Sequence, residues 1–304
     1  MSWHTWNRAK LPFRRALKAS SFMALVLSVL LILAHPGSGQ AAEEKTEVVE
    51  NGPFKITITY KEDDFDYAPS VAVAFSGAPI AMVRLDGAIG KPQVTTAELD
   101  AGNAFPELVV TGYSGGAHCC TLIKVITAAS DKGGTAWKVV DLGEFDGTVE
   151  DPQDLDGDGQ AEFLLKDDRF LYAYGCYACS YAPPLILSVR NGKKADLTGN
   201  ASMRPLLVKE ARRLEKMFRK ARRRREKIEN GVLAGYVALK LRIGEGTDGW
   251  RRMLALHQRR ERYDFCPVPG EDPYGDCPVR GYRLSFPLHL SIFLRETGYI
   301  PGRK

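Results

Sequence analysis

Asp154-Leu-Asp156-Gly-Asp158-Gly159-Gln160-Ala-Glu162-Phe-Leu-Leu165 decides the reading of this chain. Aspartates at alternate positions of a tight loop bring their carboxylates toward one point, and Gly159 permits a positive-φ turn. The main-chain carbonyl of Gln160 can add an oxygen, and Glu162 closes the cage as a strand begins. Hard carboxylate and carbonyl oxygens suit Ca²⁺, whereas Mg²⁺ demands a smaller octahedron. The expected ligands are therefore Asp154, Asp156, Asp158, Gln160 through its carbonyl, and Glu162, with the ion structural. An EF-hand is excluded, because its glutamate closes the loop at position 12 and this one closes it at the ninth residue. Four carboxylates so close repel one another without a cation. The plainer alternative is a solvated acidic turn.

Upstream lies a second version of the same pattern. Glu98-Leu-Asp100-Ala-Gly-Asn103-Ala-Phe-Pro-Glu107-Leu-Val-Val110 aligns Asp100 with Asp156 and Glu107 with Glu162, with one inserted residue. A repeat at this period points to one supersecondary unit copied and stacked. Whether the degenerate loop 98–107 binds metal is left open by its residues. Each copy is followed by a cysteine-bearing loop, Cys119-Cys120 in the first and Cys176-Tyr-Ala-Cys179 in the second. Copies lying side by side would bring these loops together, which predicts bridges from the pair 119/120 to the pair 176/179. A bond within Cys176-x-x-Cys179 is the open alternative. Cys266 and Cys277 flank a Pro/Gly/Asp loop and are expected to close it.

DLDGDGQAEFLL resembles the FG-GAP or VCBS calcium loop of integrin-type β-propeller blades and of many secreted bacterial proteins. The likeness covers about residues 98–195. It implies the same five ligands and a structural Ca²⁺. Too little chain is present for a full propeller, so the resemblance implies a partial propeller-like domain. The SGGAHCC loop is similar to loops in uncharacterised secreted bacterial proteins, and that likeness carries no activity with it.

Strand signals run through this half of the chain. Phe54-Lys-Ile-Thr-Ile-Thr-Tyr60 alternates with period two and is rich in β-branched residues. Short runs follow at Ser70–Phe75, Ile80–Leu85, Glu107–Thr111, Thr121–Thr127, Trp137–Leu142, Glu162–Leu165, Phe170–Tyr174 and Pro184–Val189. Ala42–Gly52 reads as a polar lead-in. After Gly199 the period changes to that of a helix: Leu207, Ala211, Leu214, Phe218, Ala221, Ile228 and Val232, with Arg225 filling a gap in the seam. Asn230-Gly231 is expected to break this helix. Further helices are predicted over about 232–242, from Thr247-Asp248, and over about 287–296. The fold class is thus α+β and multidomain: a signal segment 1–41, an all-β repeat domain 42–200 of antiparallel hairpins, and a basic helical domain 201–304.

With 44% hydrophobic and 26% charged residues among 304, the chain is neither disordered nor polytopic membrane. The net charge of +5 is unevenly spread. Residues 42–202 carry net −12 and residues 203–262 net +12. The first 41 residues hold five cations and no acid. There a basic stretch precedes the apolar run Ser21–Ala34 and the breakers Pro36-Gly37-Ser38-Gly39, the pattern of a secretory signal cleaved after Ala41 or Ala42. Fourteen apolar residues fall short of the roughly 20 that span a bilayer. No later stretch is apolar and long enough, so the mature chain is expected to be periplasmic or secreted, with no transmembrane helix. Outside the cytoplasm the basic helix 204–227 would meet a protein or an anionic envelope partner rather than nucleic acid.

These features favour a calcium-binding protein with a structural or envelope-interaction role and no catalysis. The rival reading is an envelope hydrolase or thiol oxidoreductase. Gly112-Tyr-Ser114-Gly-Gly116 matches a nucleophile elbow, with His257 or His289 downstream, but an elbow needs a helix next and the following residues are strand-like. His118 beside Cys119 could form a thiolate dyad. Cys176 and Cys179 have thiol-oxidoreductase spacing without a βαβ frame.

Overall fold

The computed structural model describes residues 42–116, 119–131, 134–268, 277 and 279–301. The expected signal segment 1–41 and His118 lie outside them, as does nearly all of the loop between Cys266 and Cys277.

Period-two alternation buries Phe54, Ile56, Ile58 and Tyr60 on one face of β2 (Phe54–Lys61). This strand pairs with β1 (Glu44–Asn51) and β3 (Ser70–Phe75), and β4 (Ala78–Arg84) completes an antiparallel meander. A second meander holds β5 (Ile89–Ala97), β6 (Glu107–Tyr113), β7 (Thr121–Asp131) and β8 (Gly134–Phe145). Its central strands are near-continuous apolar runs because both faces are covered. Leu108, Val110, Leu122 and Ile126 pack with the first sheet, while Val109, Ile123 and Val125 pack with Phe163, Leu165, Leu187 and Val189 of the third.

The third sheet is β9 (Phe163–Lys166), β10 (Pro184–Arg190) and β11 (Lys193–Asp196), again antiparallel. The sequence repeat therefore takes the form of two three-stranded meanders, β6–β8 and β9–β11. Neither a closed barrel nor a propeller forms among the described residues, which corrects the partial-propeller expectation. The sheets pack face to face through β6 and β7, which are apolar on both sides, and the helices cover the third sheet where a propeller would place a further blade.

Two local expectations also differ. The polar lead-in contains β1, an edge strand exposed along nearly all its length, so no alternation marks it. Phe170–Tyr174 is not a strand. Asp167 caps a 3-10 turn at Asp168–Phe170, and both Phe170 and Tyr174 are buried among the helices.

The helices are α1 (Arg204–Arg224), α2 (Asn230–Arg242), α3 (Gly246–Leu256) and α4 (Phe286–Glu296), with a hairpin of β12 (Arg262–Phe265) and β13 (Tyr282–Ser285) before the last. Pro205 sits in the first turn of α1, and Leu207, Ala211, Leu214, Phe218 and Ala221 form its buried stripe. Arg225 does not continue the seam; it ends the helix in the left-handed conformation at φ 56°. Helix α2 is buried on nearly every side. Its glycines let it lie against the chain that leads into β10. A Cβ on Gly231 would stand 2.6 Å from the Cys179 carbonyl oxygen, and one on Gly235 would stand 2.0 Å from that of Tyr181. Ile186 of β10 shares a core with all four helices. Lys240, its side chain only 4% exposed, is neutralised by Glu215 at 3.4 Å, Asp248 at 3.1 Å and Glu245.

Candidate metal centre

The loop before β9 is pinned at its base by Gln153 and Glu162, which exchange backbone hydrogen bonds of 2.9 and 2.8 Å. Gly157 and Gly159 adopt φ 84° and 85°, so the chain folds back sharply between them. As a result, oxygens of Asp154, Asp156 and Glu162 all lie within 4.8 Å of one another. Asp158 stands outside this group. Its carboxylate accepts from the backbone N–H of Gln160 at 2.8 Å and the side-chain amide at 3.1 Å. The side-chain oxygen of Gln160 accepts from the N–H of Ala101 at 3.1 Å. Three of the five expected ligands are thus brought together by their side chains.

Their environments differ. Asp154 is exposed and accepts backbone N–H groups from Gly157 at 2.7 Å and Gly159 at 3.0 Å. These bonds, Gly159 first, hold its carboxyl below the ordinary aspartate range. Glu162 is buried, and burial pushes its carboxyl above the usual value against the opposing pull of Leu155 N–H and Arg190. Its Oε2 accepts from Leu155 at 3.1 Å, and its Oε1 pairs with the Arg190 guanidinium at 2.7 Å. Each carboxylate oxygen carries two lone pairs, so both oxygens retain one for a further partner. The donor chemistry fits a hard divalent cation.

The first copy uses the same closing residue differently. Glu107 is fully buried and accepts from Leu99 N–H at 2.7 Å, Asp100 N–H at 3.1 Å, Asn103 Nδ2 at 2.7 Å and Thr127 Oγ1 at 2.8 Å. Arg190 links the copies, donating to the carbonyl of Leu99 as well as to Glu162. Neither Thr127 nor Arg190 could be assigned from the repeat, since both partners come from neighbouring strands.

The residues of the rival reading are also in view. Ser114 faces Cys120 across its own loop: its Oγ accepts the Cys120 N–H at 2.5 Å and its N–H donates to the Cys120 carbonyl at 3.0 Å. β7 begins at Thr121, so no helix follows the turn. His257 Nδ1 lies 3.0 Å from the Leu254 carbonyl, and His289 Nδ1 lies 3.0 Å from the Tyr174 hydroxyl. All six cysteines are paired, as Cys119–Cys120, Cys176–Cys179 and Cys266–Cys277. The last is the expected closure. The bridges expected between the two repeat loops do not form, and the open alternative within Cys176-x-x-Cys179 is the pairing seen. Each loop has its own neighbour: the first closes on Ser114, and the second packs under Gly231 of α2.

This architecture defines a disulfide-bonded α+β protein of stacked antiparallel meanders with four helices among the described residues. Residues 207–298 match a family model described as the sll0997 C-terminal domain. Over 264 residues the chain is 33% identical to a probable thylakoid lumen protein, sll0997, of Synechocystis sp., covering 84% of this chain and 76% of that protein. The chain belongs to this family. It is also 28% identical over 268 residues to the uncharacterized protein y4bJ of Sinorhizobium fredii, covering 83% of this chain but 40% of that protein. No solved structure matches. The family match replaces the FG-GAP/VCBS resemblance, which rested on a short acidic loop and is not supported by the family or by the sheet arrangement. No helix among the described residues is long and apolar enough to cross a membrane.

Proposed function

We propose that this is an extracytoplasmic protein with a structural or envelope-interaction role, no catalytic step of its own, and a Ca²⁺ ion that holds the Asp154–Glu162 turn. The convergence of Asp154, Asp156 and Glu162 oxygens within 4.8 Å carries this reading. The bound ion would supply positive charge to a turn built from carboxylates, and the chain's own part is to present those oxygens on a glycine-kinked loop. An oxidising compartment is supported by the three disulfides and by the lumenal name of the sll0997 relative. The basic helix α1 supplies a surface for an anionic or protein partner.

Thermal unfolding of the purified protein with Ca²⁺ and with excess EGTA tests the metal site. A site filled at about 100 times its Kd adds about 2.7 kcal/mol. For a chain of this size EGTA should therefore lower Tm by roughly 5–10 °C. Asp156→Ala should start low and ignore EGTA. Equal curves for the two proteins in both buffers would defeat the reading.

A further inference from the structure

The end of α1 and the end of α3 converge on an open groove of about 730 Å³. Arg222, Arg225, Lys227, His257, Arg259 and Arg260 line it, above Ile228 and Leu256. The five Arg and Lys side chains are exposed, and among the described residues none of them forms an ion pair. Two glutamates also line the groove, yet both are engaged. Glu226 pairs with Arg224 at 3.7 Å, and Glu261 accepts from Asn230 at 2.8 Å and Tyr263 at 2.6 Å.

The negative end of α1 accounts for cations in its last turn, but that effect fades within the turn. It does not account for Arg259 and Arg260, which arrive beyond the end of a different helix. Two elements thus bring unneutralised guanidinium groups to one concavity, and guanidinium groups match phosphate oxygens with paired N–H donors.

The surroundings indicate the source of the phosphate. Lys209, Arg212, Lys216, Arg219, Lys220 and Arg223 are exposed at three- and four-residue spacing along the same 21-residue helix. This stripe runs roughly 20 Å at 1.5 Å per residue. Met217 of α1 and Leu254 of α3 expose apolar side chains, at 39% and 41%. A small soluble anion needs an enclosed nest of fixed donors. A cationic stripe along α1 that ends in an open basic groove fits an extended anionic surface.

We propose that this groove seats the phosphate of an anionic membrane lipid and docks the helical face on a bilayer. The proposal rests on the envelope-interaction reading and is independent of the Ca²⁺ site.

Co-sedimentation of the purified protein with phosphatidylcholine vesicles, with and without phosphatidylglycerol, tests it. Only vesicles with phosphatidylglycerol should bind. Each cation at a membrane surface is worth about a fivefold change in partitioning. The pair Arg259→Gln and Arg260→Gln should therefore lose about 25-fold at unchanged Tm, whereas Lys209→Gln with Arg212→Gln, roughly 15–20 Å along α1 from Arg222 and so more than a Debye length from a phosphate in the groove, should lose markedly less. Arg259→Gln alone, in an exposed loop, keeps the test available should the pair misfold.

Equal losses in both pairs would show a diffuse charge effect and overturn the groove assignment. Loss confined to the 209/212 pair would overturn it while leaving the envelope reading intact. Absence of binding to any vesicle would overturn both. A wild-type protein that binds inorganic phosphate at micromolar concentration and ignores vesicles would make the ligand soluble, and the lipid assignment would fall.

Discussion

The loops at 98–107 and 154–162 are the same turn solved twice. In both, a buried glutamate reaches back to accept the N–H of a residue seven positions earlier: Asp100 for Glu107 and Leu155 for Glu162. The first glutamate then fills its remaining capacity with Leu99, Asn103 and Thr127, all neutral donors. The second takes one guanidinium and is left beside Asp154 and Asp156. Internal hydrogen bonds make the first turn self-sufficient; on the reading proposed above, the concentrated carboxylates of the second would call for an outside charge. The contrast teaches that a repeat can conserve the closing residue while changing what the closure requires.

The largest effect should come from Glu107→Ala. Four donors would lose their acceptor, and each buried unsatisfied group costs about 1–3 kcal/mol. A loss of about 4 kcal/mol or more is expected in denaturant unfolding, and it should be the same with Ca²⁺ or EGTA. A Ca²⁺-dependent loss at this position would erase the contrast. Glu162→Gln should cost about 1.5–3 kcal/mol, the worth of a charged hydrogen bond, since Arg190 keeps its bonds to the Leu99 carbonyl and the Ser188 hydroxyl, and should also abolish the EGTA response. A Glu162→Gln protein that still responds to EGTA would move the cation elsewhere.

The smallest effects concern pH. Aligned positions shift in opposite senses. Loss of solvent, with Glu107 and Asp100 nearby, raises the carboxyl of Glu98 above 4.5, although its side chain is largely exposed. The Gly159 N–H lowers that of Asp154 below 3.8. A raised acid favours the folded state in its protonated form, so the Glu98 contribution is full below pH 4.5 and is lost as pH rises through its folded value. A lowered acid does the reverse: the Asp154 contribution is present above pH 3.8 and is lost as pH falls through its folded value. Glu98→Gln should flatten the first slope and Asp154→Asn the second, read as Tm against pH. Slopes of the same sign would break the comparison.

Much of this was legible in the residues. The seam Leu207–Ala211–Leu214–Phe218–Ala221 announces α1, because burial of one helical face demands that spacing. The repeat of acidic loop and strand foretells the two meanders. The rest was hidden for identifiable reasons. β1 is an exposed edge strand, so no face selects apolar residues. Phe170 and Tyr174 look strand-like but serve the helical core, and a buried aromatic reads the same in either setting. The cysteine pairing carries no such signal, because two copies can stack while each cysteine loop closes on its own neighbours, Ser114 for the first and Gly231 for the second. The propeller likeness fails because a nine-residue acidic turn is too local to fix how the sheets around it are arranged. At the candidate site, Asp154, Asp156 and Glu162 converge as the spacing suggests, while Arg190 came from a distant strand and carried no local signal.

One joint in the molecule is made of missing atoms. Because Gly231 and Gly235 bring the α2 backbone onto the carbonyls of Cys179 and Tyr181, the usual tactic of rigidifying a helix by exchanging glycine for alanine would here pry the helical layer off the strand it rests on. Engineers seeking a sturdier variant should therefore leave these two positions bare and spend their substitutions on the solvent side of α1.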